Sequence, residues 1–258
     1  MSIVKEVIAY YNPRSPITES YRMLRTNIQY SSLDKPIKSL VITSSGPSEG
    51  KTITTANLAV VMAQAGSKVL VIDADLRRPA IHKVFGVNNR FGLTNILAEN
   101  KLFEEVVQKD GIENLDLLTS GPIPPNPAEL LGSKKFENFL SYVRERYDYV
   151  IIDTPPCGSI TDAAIVGRIV DGVILVASAG EVEIEAIQHA KENLQKVNAN
   201  IIGVVLNKVN KQTSGYYYYY YYYYYYYQDD SGEIIKKKKG ERRKKRKERY
   251  TAPVESKN

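Results

Sequence analysis

Ser45-Gly46-Pro47-Ser48-Glu49-Gly50-Lys51-Thr52 is the stretch whose residue types and spacing speak most directly of chemistry. It fits the phosphate-loop pattern G-x-x-x-x-G-K-[ST], with Ser45 in place of the first glycine. Successive backbone N–H groups in such a loop can wrap an anion at the start of a helix. Gly50 lets the backbone come close. Lys51 supplies a point charge between β- and γ-phosphates, and Thr52 offers a hydroxyl to Mg²⁺. ATP and Mg²⁺ are therefore the expected cofactors. Asp153 closes the apolar run Val150-Ile151-Ile152, where a carboxylate serves the metal side of a phosphate site. Asp73 and Asp75 close a further run, Leu70-Val71-Ile72. This second carboxylate pair exceeds what simple hydrolysis needs. It suits an acceptor whose proton must be removed, and Asp73 or Asp75 could take that proton or bind Mg²⁺. Arg77 and Arg78 follow, and could touch phosphate or form a surface ion pair.

A candidate acceptor lies in the same chain. Tyr216, Tyr217, Tyr218, Tyr219, Tyr220, Tyr221, Tyr222, Tyr223, Tyr224, Tyr225, Tyr226 and Tyr227 form one unbroken run. Such a run has no alternation of apolar and polar positions, so it suits neither a strand nor an amphipathic helix. Its resource is a row of phenolic hydroxyls. A phenol has a pKa of about 10 and is a poor nucleophile at neutral pH, so a nearby base would help it accept phosphate. The competing reading is a low-complexity sticky tract.

These residues need a scaffold, and the pattern from Lys38 to Asn207 supplies one. Continuous apolar runs at 39–43, 68–73, 114–120, 148–153, 172–178 and 200–207 read as parallel strands buried on both faces. Helical patterns fall between them, clearest at 51–65, 133–146 and 183–197. This rhythm predicts an α/β fold: a doubly wound, mostly parallel sheet with helices on both faces, of the P-loop NTPase kind. A helix over about 18–30, capped by Thr18, precedes the sheet. The expected organisation is a P-loop domain over 1–207 and a flexible tail over 208–258. The tail holds the tyrosine run, 216–227, and a basic segment, 236–250. If the last strand is parallel, the tail leaves at the edge where ligands bind. Twelve extended residues reach roughly 40 Å, enough to enter a neighbour's site.

Charge and composition narrow the partners. The net charge is +6, and residues 228–258 hold 12 Lys/Arg against 6 Asp/Glu, while residues 1–227 hold 23 of each. The basic excess is thus a tail property, and no nucleic-acid partner is expected of the domain; the tail suits a solvated segment or a weak anionic partner. There is no apolar run of 18 residues and no long apolar leader stretch at the start. Cys157 is the single cysteine and reads as a small buried filler. A cytoplasmic location is the expectation.

Taken together, these motifs resemble the bacterial tyrosine kinases that control capsule and exopolysaccharide synthesis. Ser45–Thr52 corresponds to the family's Walker A loop, Leu70–Asp75 to its Walker A′ motif, Val150–Asp153 to its Walker B motif, and Tyr216–Tyr227 to its C-terminal tyrosine cluster. Glu19, Arg22 and Arg25 match its E-x-x-R-x-x-R subunit contact and share one broad helix face. The resemblance implies a free-standing kinase that phosphorylates its tyrosine cluster in trans within an octameric ring. It further implies a separate transmembrane activator that recruits the kinase to the inner membrane face, with a cognate phosphatase and polysaccharide-synthesis enzymes as further partners. In that reading Lys51 and Thr52 bind ATP·Mg, Asp153 helps to hold Mg²⁺, and Asp73 and Asp75 serve metal binding and proton abstraction, with Asp73 favoured as the base. Phosphorylation would load the tail with negative charge and release the ring. The chain departs from the family in its uninterrupted tyrosines, in the basic segment behind them, and at Ser45.

Three other readings use the same residues. A partitioning or division-site ATPase shares the sheet, but usually carries lysine at the second loop position, where Gly46 stands here. A non-enzymatic scaffold leaves the ATP motifs unexplained. A GTPase is suggested by Asn207-Lys208-Val209-Asn210, which approaches N-K-x-D but lacks the aspartate that reads guanine.

Overall fold

The computed structural model describes residues 3–31, 36–109 and 111–209. The chain divides into a compact unit, Met1–Asn210, and a second stretch, Lys211–Asn258. The tyrosine run and the basic segment lie outside the described residues. The strands are β1 (Ser39–Ser44), β2 (Val69–Asp73), β3 (Gln108–Lys109), β4 (Leu115–Leu118), β5 (Tyr149–Asp153), β6 (Gly172–Ser178) and β7 (Ile201–Asn207). The helices are α1 (Ile8–Tyr11), α2 (Pro16–Tyr30), α3 (Lys51–Gln64), α4 (Ile81–Phe85), α5 (Leu93–Glu99), α6 (Phe103–Val106), α7 (Pro127–Leu131), α8 (Lys134–Arg144), α9 (Asp162–Gly167) and α10 (Ile184–Lys196).

The strands form one sheet in the order β3-β4-β2-β5-β1-β6-β7, parallel throughout except for the short β3. The expected doubly wound α/β sheet is therefore present. Its strands are apolar on both faces because each face carries its own core. Leu40 and Ile42 of β1 point into a core with α2, α3 and α4, while Val41 points into one with α5 to α10. Neighbours in a strand thus face opposite cores, the period of two that the pleat requires. The six apolar runs match β1, β2, β4, β5, β6 and β7 to within a few residues. β3 was not expected: a two-residue antiparallel pairing is too short to leave a pattern.

Helix α3 runs under the middle of the sheet. Residues Thr54 to Ala63 are buried without a break, so it has no solvent stripe. Its polar side chains serve as ties. Asn57 accepts from Ala9 N–H at 2.9 Å and donates to the Glu6 carbonyl at 3.0 Å. These bonds fasten the N-terminal segment to the helix that carries Lys51 and Thr52.

Helix α2 begins at Pro16, two residues before the expected start. Its cap is Ser15, whose hydroxyl accepts from Thr18 N–H at 3.1 Å, with proline in the first turn. Thr18 is buried instead, and its hydroxyl donates to the Asn12 carbonyl at 2.8 Å. Replacing Ser15 with Ala should lower the unfolding free energy by about 1 kcal/mol in a denaturant titration. Nucleotide binding should be unchanged.

Candidate active site

Parallel pairing brings the charged strand ends together. Asp73 and Asp153 are register partners at the ends of β2 and β5, and Ile42 of β1 pairs with Asp153 from the other side. The loop after β1 therefore opens directly over two carboxylates. It runs into α3 through Gly50, which adopts a left-handed φ of 92°. No side chain caps α3, so its first-turn N–H groups are left for an anion. That uncapped turn, with Lys51 and Thr52 at its start, is the chemistry a nucleotide phosphate needs.

Close approach fixes the glycines here. A Cβ on Gly50 would lie 2.1 Å from the Asn207 amide nitrogen. One on Gly158 would lie 2.3 Å from the Ser45 carbonyl oxygen, where the loop after β5 presses on the phosphate loop.

The charged groups pair as follows. Lys51 Nζ lies 3.3 Å from Asp75 Oδ2. Thr52 Oγ1 donates to Asp153 Oδ2 at 2.8 Å, and Thr55 Oγ1 to Asp153 Oδ1 at 3.3 Å. Asp73 accepts from the N–H groups of Ala80 and Ile81, both at 3.0 Å, and of Asp75 at 3.2 Å. Asp75 also accepts from Arg78 N–H at 2.9 Å. All three carboxylates are buried. Among the described residues no three carboxylate, imidazole or thiol groups gather as a metal cage. The set still suits Mg²⁺, which is usually bound by one or two carboxylates together with phosphates and water.

Burial raises the Asp73 pKa, and the Asp153 charge raises it further against the opposing amides of Ile81 and Ala80. Burial likewise lifts Asp153, opposed by Lys51 and by the Thr52 hydroxyl. Burial draws the Lys51 ammonium down, but Asp153 and then Asp75 outweigh it, and its pKa is held above the usual lysine value.

Several of the expected residues also make contacts within the chain. Glu49 folds its carboxylate back into the loop, accepting from Ser45 Oγ at 2.6 Å, from Gly46 N–H and from Ser178 N–H at 3.2 Å. It links the loop to the end of β6. Arg77 binds the fully buried Asp162 through two contacts, 2.8 and 3.0 Å, so it is a structural pair in this state. Arg78 is exposed. Arg22 pairs with Glu19 at 2.9 Å, and Arg25 donates to the Val61 carbonyl at 3.1 Å, which ties α2 to α3. Cys157 is buried, and burial pushes its thiol up to about 11, as suits a filler.

Asn207 is a residue to which the sequence pattern gave no role at this site. It ends β7 beside the phosphate loop, and its amide donates to the Glu49 carbonyl at 2.9 Å. It braces the loop.

The fold and this site define a P-loop protein of the doubly wound class, with a second carboxylate pair beside the phosphate loop. A family model described as an AAA domain matches residues 40–208. The chain is 47% identical to tyrosine-protein kinase YwqD of Bacillus subtilis over 215 residues, 82% of this chain and 91% of that one. Among solved structures, the kinase domain of the Escherichia coli tyrosine kinase ETK superposes with a TM-score of 0.78 at 38% identity, covering 81% of this chain and 82% of that one. The septum site-determining protein MinD of Pyrococcus horikoshii, complexed with Mg-ADP, gives 0.57 at 26% identity, covering 66% and 69%. The chain belongs to the bacterial tyrosine-protein kinases of capsule and exopolysaccharide synthesis.

Gly50→Ala should weaken binding of a fluorescent ATP analogue at least tenfold, because it adds both a clash and a disfavoured φ. Gly203→Ala, where the added methyl meets open space, should bind as the parent does. A pH series tests the buried acids. Their folded pKa values are raised, so the native state holds more protons than the unfolded chain and stability falls as pH rises above about 4. Each raised group contributes a slope of up to about 1.4 kcal/mol per pH unit. In nucleotide- and metal-free buffer, Asp153→Asn should flatten that decline in denaturant midpoints.

Proposed function

We propose that the chain uses ATP and Mg²⁺ to phosphorylate Tyr216–Tyr227 of a neighbouring copy within a ring, and thereby regulates polysaccharide synthesis. The observation that carries this reading is the second carboxylate pair. Asp73 and Asp75 stand beside Lys51 and Asp153, where hydrolysis alone needs fewer acids. Lys51 and the uncapped start of α3 hold the phosphates. Thr52 and Asp153 would hold Mg²⁺, which would supply positive charge to offset that of the phosphates. Asp75 is already matched by Lys51, so Asp73 is the carboxylate without a cationic partner, and it accepts the phenolic proton. The geometry of β7 supports delivery of the tail, because β7 ends at Asn207 against the phosphate loop.

Glu19, Arg22 and Arg25 lie on α2, whose Ile17 and Tyr30 are exposed. That mixed polar and apolar surface supports a subunit contact there. No described helix is long and apolar enough to cross a membrane. A cytoplasmic kinase recruited to the inner face by a transmembrane activator fits this, with the phosphatase and polysaccharide enzymes as downstream substrates.

Incubation of the chain with Mg²⁺·ATP, followed by phosphosite mapping by mass spectrometry, tests the reading. Phosphate should appear on Tyr216–Tyr227 and be absent from Lys51→Ala. Folded Asp73→Asn should keep nucleotide and lose transfer by about 10²-fold or more. ATP hydrolysis without phosphotyrosine would instead favour a partitioning-type ATPase with an interaction tail.

A further inference from the structure

Beside the acid pair lies an open groove of about 580 Å³ that none of the steps above uses. One wall is the turn after β2 and the start of α4, with Arg78, Ala80 and Lys83. Asn89, Pro122 and Ile123 also line it. No carboxylate lines it among the described residues. Arg77 stands at its edge, already committed to Asp162. Arg78 and Lys83 are exposed, and neither forms an ion pair with a described residue. Ile123 is 64% exposed and gives the groove an apolar patch.

The groove shares a wall with the acid pair. Arg78 N–H donates to Asp75 at 2.9 Å, and Ala80 N–H donates to Asp73 at 3.0 Å. A peptide held here by an anionic group is therefore held next to those carboxylates. The chain itself contains such a peptide. Asp229 and Asp230 follow one residue after the tyrosine run, ahead of the basic segment that starts at Lys236.

We propose that this groove is an acceptor-docking site, in which Arg78 and Lys83 hold Asp229 and Asp230 of a second copy and deliver the last tyrosines of its run to the acid pair. The inference rests on the kinase reading of that pair. Two cations face two carboxylates, and Ile123 gives a phenol ring an apolar surface. Three extended residues span about 10 Å, so Tyr225 and Tyr226 are the residues that docking at Asp229 carries forward. The lysines beyond Lys236 are repelled by the same wall, which sets the direction of the chain in the groove. Tyrosines at the end of the run are then modified ahead of those at its start.

The test uses the full chain and two labelled peptides spanning residues 224–233, one with the native sequence and one carrying Asp229→Asn and Asp230→Asn. Fluorescence anisotropy reads binding, and phosphate transfer is read in the same samples with Mg²⁺·ATP. The native peptide should bind about three- to tenfold more tightly, the factor that two exposed charge pairs supply. The preference should shrink with added salt. It should vanish in Arg78→Ala/Lys83→Ala and return in Arg78→Lys/Lys83→Arg, all with unchanged melting temperature. Equal affinity for the two peptides, no binding of either, or a preference that survives the alanine pair overturns the proposal. Transfer without a binding preference leaves the kinase reading standing and removes the docking site. A binding preference without transfer overturns the groove's role in delivering an acceptor and leaves it a tail-binding surface only.

Discussion

The structure turns on one ammonium group set among three buried carboxylates. Asp73, Asp75 and Asp153 converge at the ends of two adjacent strands; burial raises the pKa of Asp73 and of Asp153, and a neighbouring carboxylate charge raises each further. Lys51 brings a positive charge into that cluster, 3.3 Å from Asp75. Backbone amides steady Asp73, and two threonine hydroxyls steady Asp153. Any anion entering the same spot would add negative charge, so a cation bound with it would be favoured on electrostatic grounds. A cluster this unbalanced is costly to fold, and its presence signals a functional site.

Every larger feature of the fold serves to hold that cluster. Parallel pairing puts Asp73 and Asp153 side by side, because both strands point the same way and share a register. The central strand β1 delivers the phosphate loop above them. Helix α3, buried along ten residues, anchors Lys51 and Thr52 in the core. Contacts from three other segments then set the shape of the loop. Gly158 presses on Ser45, Ser178 binds Glu49, and Asn207 binds the Glu49 carbonyl. The last of these comes from the end of β7.

The sheet alone does not distinguish this chain from division-site ATPases, since MinD shares the fold with a TM-score of 0.57. Function lies in what is added to the sheet. Here the additions are Gly46 at the second loop position and the run Tyr216–Tyr227 that follows the last strand in sequence. The similarity to YwqD and to the ETK kinase domain is spread over four-fifths of the chain, which includes both the sheet and the site.

The alternation of strands and helices could be read directly, because a strand buried on both faces must be apolar along its whole length. The phosphate loop and the strand-end acids could be read too, because their chemistry demands particular residues at short spacing. Other features escaped a sequence reading because they depend on contacts between distant residues. Ser15 and Thr18 are both good caps, and only the path of the preceding turn decides between them. Glu49 reads in the sequence as one more phosphate-loop residue, and only the fold brings Ser178, 129 residues away, beside it. Asn207 suggested a guanine reader until the last strand placed it against Gly50. The sequence by itself determined which anion-wrapping loop, carboxylates and phenols the chain has to offer, since those are properties of side chains and short spacings. Tertiary structure decided which of them meet, and which become braces, because strand order and register are set by packing between segments far apart in the chain.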